Sequence, residues 1–278
     1  MQSLKFTRTN GNIPKKLAGE DHVSGLVIYS AALPSGFSES ERIKAVSTIE
    51  TAEALGITAD ADNWDIRVLH YQLSEIFRIN PGISLYVGIF TSPEGANTYA
   101  EVKKMQNFTD GRLRQLGVWD GRTPLAADNL TALQGVAATL EEQDMPLGII
   151  YAPKVSAVAS LPSNLAGNKE RVWTVIGQAG SSTGAALYVD AENTEKASVS
   201  GLGVVLGIVS LAAVHESIAW IEKFPTGVDV PAFGDGTLLK TLDRAVVEAL
   251  DKSRYLFFVT YAGLSGSCLL YTSPSPRD

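Results

Sequence analysis

LYVGIFTSPEGANTYAEVKKMQNFTDGRLRQLGVWDGRTPLAADNLTALQGVAATLEEQDMPLGIIYA, residues Leu85 to Ala152, is where the fold class becomes readable. Leu85–Phe90 is a strand with Leu85, Val87 and Ile89 on one face. Ser92-Pro93 predicts an N-cap followed by proline at the first helical position, and the helix that follows runs to about Phe108. Leu113–Trp119 is the next strand. Thr123-Pro124 repeats the cap-and-proline signal ahead of Ala126, Leu130, Leu133, Ala137 and Leu140, an amphipathic stripe at helical spacing. Leu147–Ala152 is a third strand, stopped by Pro153. Strands alternating with helices in this way predict βαβ units, and hence a mostly parallel sheet with helices on both faces.

The same alternation extends in both directions. Upstream, Val23–Tyr29 is an apolar, β-branched strand. Ser38-Glu39-Ser40-Glu41 has the form of a capping box, and Ile43, Val46, Ile49 and Ala52 would then share one helical face, with Gly56 as the residue after the C-cap. A second helix is predicted from near Asp62 through Ile66, Leu69, Leu73 and Ile76 to Asn80-Pro81-Gly82. Downstream come a strand at Val172–Ile176, a Gly- and Ala-rich helical region over about Ser198–Lys223, a helix over about Thr237–Asp251 and a strand at Arg254–Tyr261. The expected architecture is a central sheet of six strands, with Leu85, Val87, Ile89, Ile149, Ile150, Val175, Ile176, Phe257 and Val259 buried in it.

Composition narrows the function. Hydrophobic residues make up 45% and charged residues 19% of the 278, as in a globular protein. The net charge is −7, which argues against a nucleic-acid partner, since phosphate neutralisation needs a basic face. One cysteine and three dispersed histidines do not build a zinc cluster. The first thirty residues lack the apolar core of a secretory signal. Leu202–Val214 is uncharged, but 13 residues fall short of the roughly 20 that cross a bilayer, and a buried core helix is expected instead of a membrane span.

The two ends differ from the middle. Residues 1–20 carry Lys5, Arg8, Lys15 and Lys16, with Leu4 and Phe6 alternating with polar neighbours, and read as an extended arm. Residues 21–267 form the expected α/β core. Residues 268–278 turn abruptly polar and Pro/Ser-rich and read as a non-native read-through tail, with Cys268 at the junction.

Motifs that carry chemistry are incomplete. Gly177–Gly184 is a glycine-rich loop after a strand, but Ala185 and Ala186 stand where a phosphate loop needs lysine and Ser/Thr. Gly201-Leu202-Gly203-Val204-Val205-Leu206-Gly207 is one residue too long for the dinucleotide fingerprint, and Gly203 and Gly207 are expected to pack closely against a neighbouring element. His215-Glu216 is not the start of a zinc-protease motif, because Ala219 stands where the second histidine belongs. His22 and His70 have no local partner of the right kind. Asp60-Ala61-Asp62-Asn63-Trp64 begins like a calcium loop but places Trp64 at a ligand position, so a turn and helix cap are expected. No nucleophile, base and oxyanion site assemble, so neither catalysis nor a cofactor is expected, and binding of ATP or NAD is not.

Several phrases resemble contractile-tail sheath proteins of bacteriophages, in particular a domain-of-unknown-function family of tail-sheath-like phage proteins. They are ERIKAV (Glu41–Val46), AEALGI (Ala52–Ile57), LHYQLSEIFRINP (Leu69–Pro81) with LYVGIF (Leu85–Phe90), MQNFTDGRLRQLGVW (Met105–Trp119), VIGQAG (Val175–Gly180), LGIVSLAAVHESIAWIEKF (Leu206–Phe224) and YLFFVTYAGLSGS (Tyr255–Ser267). The resemblance implies a structural subunit that polymerises around a tail tube and contracts to drive it through a target envelope. It implies copies of the same chain, a tube protein and a baseplate as partners, and a place in the virion tail after assembly in the host cytoplasm. Sheath subunits join by terminal arms that add strands to their neighbours, which makes Leu4 and Phe6 the candidate inter-subunit contacts. It also implies a C-terminal continuation that this chain lacks, so that the core would fold without polymerising. The competing expectation is a small-molecule or nucleotide-binding α/β enzyme with Ser181–Gly184 lining a pocket at the strand ends.

Overall fold

The computed structural model describes residues 23–162, 170–179, 182–212, 231–260 and 267–270. In chain order the strands are β1 (Ser24–Tyr29), β2 (Ile43–Val46), β3 (Leu85–Phe90), β4 (Gln115–Pro124), β5 (Gly148–Lys154), β6 (Val172–Val175), β7 (Gln178–Ala179), β8 (Pro231–Ala232), β9 (Tyr255–Thr260) and β10 (Ser267–Leu270). The helices are α1 (Ile49–Ala54), α2 (Trp64–Ile79), α3 (Ala100–Phe108), α4 (Ala127–Glu142), α5 (Ser182–Val189), α6 (Leu202–Leu211) and α7 (Arg244–Lys252). Eight strands form one sheet in the order β10-β9-β6-β5-β4-β1-β3-β2, and β7 pairs with β8 separately. The six inner strands are parallel; β2 and β10 are antiparallel to β3 and β9 and form the two ends.

The protein is thus α/β with a mostly parallel sheet covered on both faces. Alternate residues of β1 enter opposite layers: Leu26 and Ile28 join a core with Leu69, Leu73 and Ile76 of α2 and Leu202, Val205 and Leu206 of α6. Val27 and Tyr29 join a second core with Val102 and Met105 of α3 and Leu130, Leu133, Ala137 and Leu140 of α4. Leu85, Val87, Ile89, Ile149, Ile150, Val175, Ile176 and Phe257 are all buried, on or directly after strands of the single large sheet. Val259 lies on β9 of that sheet. Gly203 and Gly207 let α6 lie against α2: a Cβ on Gly203 would sit 2.4 Å from the Gln72 carbonyl, and one on Gly207 3.0 Å from Ile79. No helix among the described residues is long and apolar enough to cross a membrane.

Several boundaries differ from those predicted. The helix expected after Ser38-Glu39-Ser40-Glu41 is not there. Ser38 and Glu41 close a backbone bridge, and Ile43–Val46 become β2. Ile43 and Val46 fit either period, and pairing with β3 decides for the strand. The helix starts only after Thr48, whose side chain accepts from Thr51 N, and ends at Leu55, with Gly56 after it at φ 82°. Both cap-and-proline signals are also displaced. α3 begins seven residues after Pro93, and Thr123-Pro124 end β4 because Pro124 still pairs with Lys154. α4 starts after Ala126, whose N–H is accepted by the Asn129 side chain at 3.1 Å. Pro153 does not stop β5, which continues to Lys154. α7 begins at Arg244, with only a 3-10 turn at Leu239–Thr241 before it. The six expected strands are present, and the edge strands β2 and β10 were not foreseen. β10 spans Ser267–Leu270.

Candidate functional site

Two places combine exposed or strained geometry with unusual side chains. The first is the sheet edge at β2. Antiparallel pairing places Arg42 opposite Ile89, whose N–H donates to the Arg42 carbonyl at 3.0 Å. By the alternation of such ladders, Lys44 and Val46 also turn their backbone groups toward β3, whereas Ile43 and Ala45 turn theirs outward. No strand among the described residues covers that outer side. A groove of about 570 Å³ runs beside it, lined by Glu39, Glu41, Ile43, Phe90, Lys104 and Phe108 among others. Phe108 is 54% exposed. Lys104 sits 5.6 Å over the Phe90 ring and 3.4 Å from Glu101.

Charge at this edge is ordered. Arg42 pairs with Glu39 and Lys44 with Glu41. The cations lie in against the protein, at 18% and 28% exposure, while Glu39 and Glu41 stand out at 81% and 65%. The edge therefore presents carboxylates to an approaching partner. Lys44 holds the Glu41 carboxyl below its ordinary range through a hydrogen bond and its charge.

The second place lies at the carboxyl ends of β1, β4 and β5, on the α3–α4 side of the sheet. Tyr99, fully buried, donates its hydroxyl to Asp120 Oδ2 at 3.0 Å, lies 2.9 Å from the Tyr151 hydroxyl and accepts from Asn129 Nδ2 at 3.1 Å. The Tyr99 and Tyr151 rings meet edge to face at 5.7 Å. Burial raises the Asp120 carboxyl above its ordinary range, opposed by hydrogen bonding from Thr123, Tyr99 and Tyr151. Burial also raises the hydroxyls of Tyr29, Tyr99 and Tyr151 above their ordinary range, so they act as hydrogen-bonding groups and not as anions. Tyr29's hydroxyl comes near Asn97 without closing a bond of good geometry. On the opposite layer, Arg122 joins Asp65 at 2.7 Å and Glu195 at 3.1 Å and stacks on Trp64.

The residues expected to matter are distributed differently. Leu4, Phe6, His22, Ser181, His215 and Glu216 lie outside the described residues. Thr183 and Gly184 are in the first turn of α5. Asn63 caps α2, with its side chain accepting from Asp65 N and Ile66 N, as the turn reading of 60–64 expected. His70 gains a tertiary partner, Glu53, at 3.0 Å. Among the described residues no group of three or more His, Cys, Asp or Glu side chains is placed to hold a metal. The hydroxyl cluster went unread because its members stand 21 and 52 positions apart and share no motif.

The family model described as DUF2586, N-terminal domain, matches residues 1–267. None of the curated proteins compared with the chain matches it. With nearly its whole length matched, the chain belongs to the DUF2586 family.

Proposed function

We propose that this member of the DUF2586 family is a structural subunit of a contractile tail sheath, which polymerises with copies of itself around a tail tube and contracts to drive the tube through a target envelope. The observation that carries the reading is the edge of β2, four residues long and covered by no strand among the described residues, with its groove and outward carboxylates. An unpaired edge is a template for another strand, and soluble proteins usually cover or disrupt it. Residues 1–20 hold Lys5, Arg8, Lys15 and Lys16 against one acidic residue, Glu20, so the arm complements the charge that the edge presents. Leu4 and Phe6, two apart, would point to the same side of an added strand. Backbone bonds would supply affinity, and pockets for alternate side chains would supply register. The tube protein and the baseplate are the remaining partners in this reading, and the virion tail is its location.

The experiment is assembly with and without the arm. The chain with the implied C-terminal region restored is mixed with its tube protein and viewed by negative-stain microscopy, beside the same restored chain lacking residues 1–20. Tubes from the first and folded monomers from the second are expected. A restored chain that stays monomeric at high concentration with its tube protein present overturns the sheath reading, and normal polymerisation of the armless form overturns the role of Leu4 and Phe6.

A further inference from the structure

Tyr99 holds a backbone conformation that bulky residues avoid: φ 54° and ψ 34°, in the left-handed region, directly before the first residue of α3. Residues in this region persist where their surroundings over-determine them. Here the surroundings are the hydroxyl's contacts with Asp120, Tyr151 and Asn129, together with the Tyr99 N–H, which donates to Asn97 Oδ1 at 2.8 Å. Three separate elements, β4, β5 and α4, thus hold one residue.

The two ends of α3 are fastened independently. Near its end, Gln106 donates to the carbonyls of Leu113 at 3.1 Å and Met145 at 3.2 Å and accepts from Leu113 N at 3.1 Å. At its start, the Tyr99 carbonyl accepts from Val102 N at 3.1 Å, and the first turn carries Glu101, the partner of Lys104. Lys104 in turn lies over Phe90 and lines the groove beside β2. A contiguous path therefore runs from the buried hydroxyls through one helical turn to the open edge.

We propose that the cluster around Tyr99 is a conformational pin. Closed, it holds the first turn of α3, and Lys104 stays over Phe90 as a wall of the groove. Open, that turn unwinds from the Tyr99 end while the Gln106 end stays fastened, and the groove loses the Lys104 wall. The pin would then regulate the edge described above as an assembly surface. That consequence rests on the sheath reading, but the pin itself does not.

The test uses the unassembled full chain, so failure of the pin and failure of the sheath reading are separate results. Tyr99→Phe keeps the ring and deletes all three hydroxyl contacts. Hydrogen exchange followed by mass spectrometry is expected to show the amides of Ala100–Lys104 exchanging at least ten-fold faster, with those of β1 and β4 unchanged. Acetylation of Lys104 is expected to rise relative to Lys103. Asp120→Asn, which keeps an acceptor for Tyr99, is expected to restrain the turn nearly as the native chain does. Should Tyr99→Phe fold poorly, Asn129→Ala removes one of the three hydroxyl contacts together with the Ala126 N–H cap, and is expected to give a smaller acceleration at Ala100–Lys104 besides any at the start of α4. Unchanged exchange at Ala100–Lys104, or acceleration spread evenly over the sheet, overturns the pin. Faster exchange without any change at Lys104 overturns its link to the groove.

Discussion

Asp120 carries the clearest single-residue consequence. The residue is 3% exposed, and burial lifts its carboxyl above its ordinary range. A carboxyl raised by folding binds its proton more tightly in the native state than in the unfolded chain. Its favourable contribution is complete below the unfolded value and is lost as pH rises through the folded one. Ionising Asp120 in the native state sets a charge where burial disfavours it, against hydrogen bonding from Thr123, Tyr99 and Tyr151. Asp120→Asn is expected to raise Tm at pH 7 and to lose that advantage as the pH is lowered through the carboxylate range, in paired thermal melts. A variant less stable than the native chain at both ends of the series would show that the charge itself is required. Nothing local in the sequence marks Asp120: it reads as the residue after a strand, and only the fold brings two tyrosines to it.

At the scale of elements, the legible parts were those whose residues pack within a continuous period. Leu85–Phe90, the strand around Leu116–Trp119 and the stripe Leu130, Leu133, Ala137, Leu140 are buried as their spacing requires. The illegible parts were short or depended on a distant partner. Ile43–Val46 satisfies a helical stripe as well as a strand, and β3 arbitrates. Ser92-Pro93 could not announce that α3 would wait for Tyr99, since the left-handed start is held by side chains from other elements. The α2–α6 contact shows the opposite case, because Gly203 and Gly207 announced close packing by their spacing alone. Gln72 locks that contact, donating to the Ser200 carbonyl at 2.9 Å and accepting from Gly203 N at 2.6 Å. A methyl group at Gly203 meets backbone and not a yielding side chain. Gly203→Ala is expected to destabilise the fold by about 1–3 kcal/mol, the usual cost of overpacking, read as a shift in the denaturant midpoint with the slope unchanged. A shift of a few tenths would mean that α6 can slide.

At the scale of the whole molecule, the eight-stranded sheet has two unequal ends among the described residues. At one end β10 lies against β9. At the other, β2 is flanked on one side only among the described residues. A net charge of −7 makes copies of the chain repel one another, so association has to come from directed contacts. Backbone pairing at β2 is such a contact, and it can be removed without disturbing the subunit. Ala45 is exposed and, two residues after the outward-facing Ile43, turns its N–H away from β3. Ala45→Pro deletes that one donor and sets a ring in the path of an added strand, while Lys44 and Val46 keep their bonds to β3. The substitution is expected to leave the thermal midpoint within about 2 °C of the native chain, since an exposed edge position lies away from the costly mechanisms of destabilisation. It is also expected to abolish tube formation in the microscopy assay. Ala45→Thr, which keeps the donor and suits a strand, should assemble normally. Tubes formed by Ala45→Pro at native concentration would remove β2 as the acceptor, and the search for the joining surface would move to the groove of about 520 Å³ between Ala96–Thr98 and the outer face of α4.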